Sequence, residues 1–216
     1  MSADTRYRGY DVLDKRDTPS WDAVTRAVID ERLTAADHLP QVATGAAWRV
    51  LRALCTCIVP QPADRPAVPL AALLDRRLAA NRGDGFRDAR LPPLREAWRI
   101  GLDALDAESR HGHGRGFADL DDEARIDLLH RVQHGACADP AWRGMPPALF
   151  FSHRVLPDLL SAYYAHPQAW SEIGFGGPAN PRGYVRMVAN RRDPWEPVEA
   201  RPGEEARAYR ENRRVR

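Results

Sequence analysis

The chain has 216 residues, of which 44% are hydrophobic and 29% are charged, and its formal net charge is +2. This length favours one domain with enough apolar residues to form a core. The near balance of charge excludes a protein that binds nucleic acid through its overall electrostatics. No stretch reaches the roughly 20 apolar residues that a membrane-spanning helix needs, so we expect no membrane insertion.

The cysteines and the N-terminal residues predict the cellular compartment. There are three cysteines, Cys55, Cys57 and Cys137, and this odd number is not typical of a secreted disulfide framework. Residues 1–17 are polar and charged, without the apolar stretch of a signal peptide. We therefore expect a cytoplasmic protein.

Apolar residues spaced three or four apart predict an all-α fold with about six helices. The first helix shows the pattern, with Thr18 as the expected N-cap, Pro19 in its first turn, and Trp21 and Val28 on its apolar stripe. The predicted helices run from 19 to a stop at 37–40, over 42–58, over 68–78, from 94 to a glycine-rich loop at 111–116, from 121 to 135, and over 147–164.

The pattern changes after His166, where glycine, proline and aromatic residues alternate and helical spacing is lost. We predict an extended lead over residues 1–17, a helical domain over 18–166, and an irregular arm with a charged tail over 167–216. An irregular stretch of about 50 residues is uncommon in a compact domain. This predicts that something outside the domain orders the arm.

Motifs that carry chemistry are scarce. Residues 174–179 fit the dinucleotide-binding pattern G-x-G-x-x-A, but no strand precedes them and prolines follow, so we expect an exposed turn instead. His130 and His134 lie four residues apart, with Cys137 just beyond, and this spacing can place two imidazoles on one face for a metal ion. A closed zinc site needs four ligands, and no second pair is placed to complete it. We predict no catalytic, cofactor-binding or metal site in this chain.

Aromatic residues are concentrated between residues 163 and 195. Tyrosine, tryptophan and arginine are the residues that most often anchor protein interfaces. Alternatively, such rings only close the helical core, which we expect for about half of them. The predicted interface residues are Tyr163, Tyr164, His166, Trp170, Phe175, Pro178, Pro181, Arg182, Tyr184 and Trp195.

This segment also carries a resemblance to a known family. It resembles the gluconate 2-dehydrogenase subunit 3 family in the stretch Tyr163-Tyr164-x-His166-Pro167-x-x-Trp170-x-Glu172-Ile173-Gly174-Phe175-Gly176-Gly177-Pro178-x-x-Pro181-Arg182-Gly183-Tyr184. Shorter similarities are Gly9-Tyr10-Asp11-Val12-Leu13, Asp17-Thr18-Pro19-Ser20-Trp21, Ile58-Val59-Pro60-Gln61-Pro62 and Pro194-Trp195-Glu196.

The resemblance implies a small, non-catalytic helical subunit that binds and stabilises a large FAD-dependent oxidoreductase of the glucose–methanol–choline class. The flavin and the catalytic residues then belong to the partner, which oxidises a sugar, a sugar acid or an alcohol, and a higher-order heteromer is allowed. Many relatives begin with a twin-arginine export leader. Here Arg6 and Arg8 are separated by Tyr7 and no apolar region follows, so we expect the complex to be cytoplasmic.

Two alternatives stay open. The chain could be a folding chaperone that releases the flavoprotein, or a stand-alone metal-binding protein that uses His130, His134 and Cys137. Recovery of the chain in a fixed ratio with a flavoprotein would distinguish a subunit from a chaperone, and bound zinc would favour the metal protein.

Overall fold

The computed structural model describes residues 6–63, 65–81, 83, 85–180, 183 and 195–214. In these residues the regular secondary structure is helical, and the β contact found there is an isolated parallel bridge between Trp21 and Asn180. The all-α prediction is therefore confirmed.

The helices of the described residues are short to medium in length. They are α1 Ala23–Leu33, α2 Gly45–Ile58, α3 Leu70–Ala80, α4 Leu94–His113, α5 Asp122–Gln133, α6 Pro147–Phe150, α7 Leu156–Tyr164, α8 Pro167–Ile173 and α9 Glu205–Asn212. A π-helical turn, Phe151–Val155, connects α6 to α7 without a break. Short 3-10 helices are Val12–Lys15, Thr34–Asp37, Phe117–Asp119 and Pro140–Trp142.

The start of the first helix differs from the prediction. Thr18 is not its N-cap, because the Thr18 hydroxyl donates to the Lys15 carbonyl oxygen at 2.7 Å. Asp22 caps α1 instead, and its carboxylate accepts the Thr25 N–H at 2.7 Å. The helix begins at residue 23 because Trp21 is held in the β-bridge with Asn180, which keeps the preceding backbone out of the helix.

The loop predicted at 111–116 is also shorter than expected. Helix α4 continues through His111 and Gly112 to His113. Gly114 ends it with a left-handed φ of 67°, and its N–H donates to the Arg110 carbonyl oxygen at 2.9 Å. The glycine that stops the helix is thus the second one after Arg110, in the C-cap position where glycine is favoured.

The structure places two short helices, α8 and α9, within the segment over residues 167–216 that the sequence predicts to be irregular. Helix α8 has Pro167 in its first turn and ends at Gly174, which has a left-handed φ of 68°. Proline at the start and glycine at the end are the positional preferences of helix termini. The lead over residues 1–17 is likewise not simply extended, since it contains the 3-10 helix Val12–Lys15.

Contacts between Cα atoms divide the chain into two units. Residues 1–34 and 163–216 form one, which we call the terminal unit, and residues 35–162 form the other, the central unit. The terminal unit thus combines the two ends of the chain, whereas the sequence suggested successive segments divided at 17 and 166.

The core of the central unit is built around aromatic rings. Trp98 of α4 meets Phe150 of α6 edge to face, with ring centroids 5.4 Å apart, and Trp142 meets the same ring at 5.9 Å. Gly101 of α4 lies directly against Phe150, where an added Cβ would be 2.1 Å from the ring. The missing side chain therefore lets α6 approach α4 closely.

Asp75 of α3 is fully buried and organises the loop before α2. Its carboxylate accepts the backbone N–H groups of Gln41 at 2.7 Å, Val42 at 3.0 Å and Ala43 at 2.7 Å. The Nε2 atom of His38 lies 2.8 Å from the same carboxylate. Burial alone would raise the pKa of Asp75, but these hydrogen bonds outweigh it and hold the pKa below its usual value.

Two further buried carboxylates tie the central unit together. Asp158 of α7 accepts the indole N–H of Trp98 at 2.7 Å and lies 3.4 Å from the Arg77 guanidinium. Glu108 of α4 accepts the N–H of Asp139 at 2.8 Å and the indole N–H of Trp142 at 3.1 Å. Buried carboxylates need such partners to be tolerated, and here the partners fix one segment to another.

Candidate partner-binding surface

The terminal unit has its own hydrophobic core. It brings N-terminal residues together with side chains that follow residue 166. The buried members are Tyr10, Val12, Trp21, Ile29, Trp170 and Trp195. Trp170 and Trp195, both predicted as interface anchors, are therefore core residues of this unit, with 5% and 8% of their surface exposed.

Helix α8 is fixed in the terminal unit by polar contacts as well as by Trp170. The Trp170 indole N–H donates to the Tyr164 carbonyl oxygen at 2.5 Å. The hydroxyl of Ser171 accepts the Val12 N–H at 3.1 Å and donates to the Pro167 carbonyl oxygen at 3.2 Å. These bonds hold the helix in one position relative to the N-terminal residues.

Two aromatic side chains of the terminal unit remain about half exposed. The Phe175 ring meets the Trp170 ring edge to face at 5.7 Å, yet Phe175 is 44% exposed. Tyr164 is 48% exposed, and its ring meets that of the buried Tyr163 at 5.2 Å. Tyr163 is itself fixed, since its hydroxyl donates to Glu172 at 2.6 Å. We call Tyr164 and Phe175 the aromatic surface.

Arg32 supports this surface from α1. Its Nη1 donates to the Ala165 carbonyl oxygen at 2.7 Å, and its guanidinium lies over the Trp170 ring, 5.8 Å from the centroid. A guanidinium over an indole face is a favourable cation–π arrangement. The sequence pattern did not single out Arg32, because its partners lie more than 130 residues away along the chain.

The ten predicted interface residues fall into distinct groups. Those buried in the chain's own packing are Tyr163, His166, Trp170 and Trp195. Tyr164 and Phe175 are half exposed, and Pro178 is partly buried, with its carbonyl oxygen accepting the Trp21 indole N–H at 2.7 Å. Pro181, Arg182 and Tyr184 lie outside the described residues. Contact of the ten residues with a partner stays a prediction. Among those that the structure describes, the two residues of the aromatic surface are the most exposed.

The glycine-rich turn serves packing. Gly174 and Gly177 have left-handed φ values of 68° and 66°. A Cβ on Gly174 would lie 2.4 Å from the Tyr7 ring, and one on Gly177 would lie 3.1 Å from Trp170 and from Val12. Gly176 and Gly177 are buried, so this part of the turn is not exposed, contrary to the prediction. Small residues are needed because other side chains occupy the space.

The histidine and cysteine residues of the alternative metal hypothesis lie in the central unit. The Nδ1 atom of His134 hydrogen-bonds to the His130 carbonyl oxygen at 2.7 Å. Burial, followed by the nearby charge of Glu108, raises the pKa of Cys137 to about 11, so this thiol stays protonated at neutral pH. Over the described ranges, no three side chains of His, Cys, Asp or Glu are grouped to hold a metal ion.

None of the described helices combines the length and the apolar character needed to cross a bilayer.

The similarity to a known protein family extends over most of the central unit and into the C-terminal part of the terminal unit. The family model described as gluconate 2-dehydrogenase subunit 3 matches residues 46–177, more than half of the chain. The match includes Tyr164, Trp170 and Phe175. No curated protein and no solved structure matches the chain. This chain belongs to the gluconate 2-dehydrogenase subunit 3 family, whose members are subunits of an oxidoreductase complex.

Proposed function

We propose that this chain is a non-catalytic small subunit that binds and stabilises a large FAD-dependent oxidoreductase of the glucose–methanol–choline class. The family match over residues 46–177 is the observation that carries the proposal. In this assignment the flavin and the reacting groups belong to the large subunit, which oxidises a sugar, a sugar acid or an alcohol. A cytoplasmic location for the complex is part of the same proposal.

The aromatic surface suits a subunit that binds a protein partner. Tyr164 and Phe175 are held on buried neighbours, Tyr163 and Trp170, so little side-chain entropy is lost when a partner covers them. Large aromatic side chains in fixed positions are typical of the few residues that dominate binding energy. The partner site that fits them is an apolar depression.

The aromatic surface can be tested without damage to the core. Replacing Tyr164 and Phe175 together with serine removes two half-exposed rings and leaves the buried Trp170 in place. Loss of an interface anchor typically costs about 2 kcal/mol or more, which is roughly thirtyfold in affinity. We expect the double variant to bind the purified large subunit at least thirtyfold more weakly, measured by titration calorimetry.

A matched control removes exposed apolar surface elsewhere. Phe86 and Leu39 of the central unit are 79% and 81% exposed, and both change to serine in the control variant. This variant is expected to bind like the unaltered chain. Equal affinity for all three proteins, with unchanged helical circular dichroism, would remove Tyr164 and Phe175 from the interface.

A further inference from the structure

His166 caps the N-terminus of α8 from a buried position. The residue is 6% exposed, and its Nδ1 accepts the Gln168 N–H at 3.3 Å. Its carbonyl oxygen accepts the Trp170 N–H, also at 3.3 Å. An imidazole nitrogen accepts a hydrogen bond only when it carries no proton. This cap therefore requires a neutral His166.

The surroundings of His166 favour the neutral form. Arg32 is the charged group that faces it from α1. The neighbouring residues on α7 are Tyr163 and Tyr164, and the Glu172 carboxylate on α8 accepts the Tyr163 hydroxyl. Burial first, and the positive charge of Arg32 second, lower the pKa of His166 below its ordinary value.

Protonation would oppose the contacts that hold α8. The protonated Nδ1 becomes a donor that faces the donor N–H of Gln168. The new charge also lies at the positive end of the helix dipole and beside Arg32. Each of these effects favours opening of the first turn of α8, which positions Trp170.

We propose that His166 is a pH-sensitive N-cap of α8, and that acidification weakens partner binding by loosening the segment that carries Trp170 and Phe175. This inference rests on the proposed function, because it takes the aromatic surface as the partner-binding site. Above the ordinary histidine pKa of about 6.5 the stabilisation is complete. It is lost as the pH falls below that value toward the lowered pKa of the folded state.

The test compares the full chain with the variant His166→Asn, because asparagine is a strong N-cap residue that does not titrate in this range. Because the folded-state pKa of His166 lies below the ordinary value of about 6.5, affinity for the large subunit is measured at about pH 7.5 and about pH 4.5. Loss of an N-cap typically costs about 1 kcal/mol, which is roughly fivefold in affinity. We expect the unaltered chain to lose about fivefold more affinity than the variant, since titration of the partner affects both equally.

A second readout separates this inference from the proposed function. Thermal unfolding of the two isolated chains is followed over the same pH range, with His166→Ser as an additional non-titrating cap. If the large subunit binds at neither pH, the proposed function fails. The unfolding curves alone then decide whether His166 is a pH-sensitive N-cap. The complex could instead form while the unaltered chain and the variants share one pH dependence in binding and in unfolding. That result would contradict a pH-sensitive N-cap at His166.

Discussion

Replacing Asp75 with alanine is expected to lower the free energy of unfolding by about 3–5 kcal/mol. The carboxylate is fully buried and accepts three backbone N–H groups from residues 41–43, besides its contact with His38. Alanine would leave the Ala43 N–H buried, and the N–H groups of Gln41 and Val42 partly buried, without this acceptor. A buried donor without an acceptor costs about 1–3 kcal/mol. Urea unfolding followed by circular dichroism measures the loss.

Asp127 supplies the matched control for this change. It is an exposed aspartate on α5, so its replacement with alanine is expected to change the stability by less than about 0.5 kcal/mol. The lowered pKa of Asp75 also predicts how the free energy of unfolding of the unaltered chain depends on pH. Its stabilisation is complete above the ordinary aspartate pKa of about 3.9 and is lost as the pH falls through the lowered value. Equal stability of the two variants would contradict the role given to Asp75.

Replacing Trp170 with alanine is expected to destabilise the terminal unit by about 3–5 kcal/mol. The side chain is buried among Tyr10, Val12, Trp21, Ile29 and Trp195, so alanine leaves a cavity. The indole N–H bond to Tyr164 and the stacking of Arg32 are lost as well. Hydrogen exchange of the backbone amides in α1 and α8 measures the change where it occurs.

Ile173 is the control on the same helix, because it is 48% exposed. Its replacement with alanine is expected to leave the exchange rates of α1 nearly unchanged. The opposite pattern, with protection retained in the Trp170 variant, would show that Trp170 is a surface anchor instead of a core residue.

The helices of the central unit could be predicted from the sequence because their apolar residues repeat every three or four positions. Helices α2 and α3 begin within a few residues of the predicted starts. For the helices that were predicted, the errors lie at the termini, where one hydrogen bond decides the boundary, as the Asp22 carboxylate does for α1. The signals for α8, Pro167 and Gly174, were present in the sequence, but the surrounding glycines and prolines outweighed them.

The candidate surface could be predicted only in part. An aromatic residue in a segment rich in glycine and proline can be either a core residue or an interface anchor, and the sequence does not separate the two. The separation depends on contacts with distant residues, as when Val12 and Ile29 help to bury Trp170. Among the described residues, Tyr164 and Phe175 remain 48% and 44% exposed, which their sequence positions alone do not predict.

The central claim is most directly tested by co-expressing this chain with a large FAD-dependent oxidoreductase of the glucose–methanol–choline class from the same organism. Affinity purification through a tag on this chain is followed by gel filtration, protein mass and flavin absorbance. The account predicts one gel-filtration peak that contains both chains in a fixed ratio. When the two chains are then separated without denaturant, the flavin is expected to stay with the large subunit. Flavin bound to the isolated small chain, or a large subunit that folds, retains flavin and never associates with this chain, would contradict it.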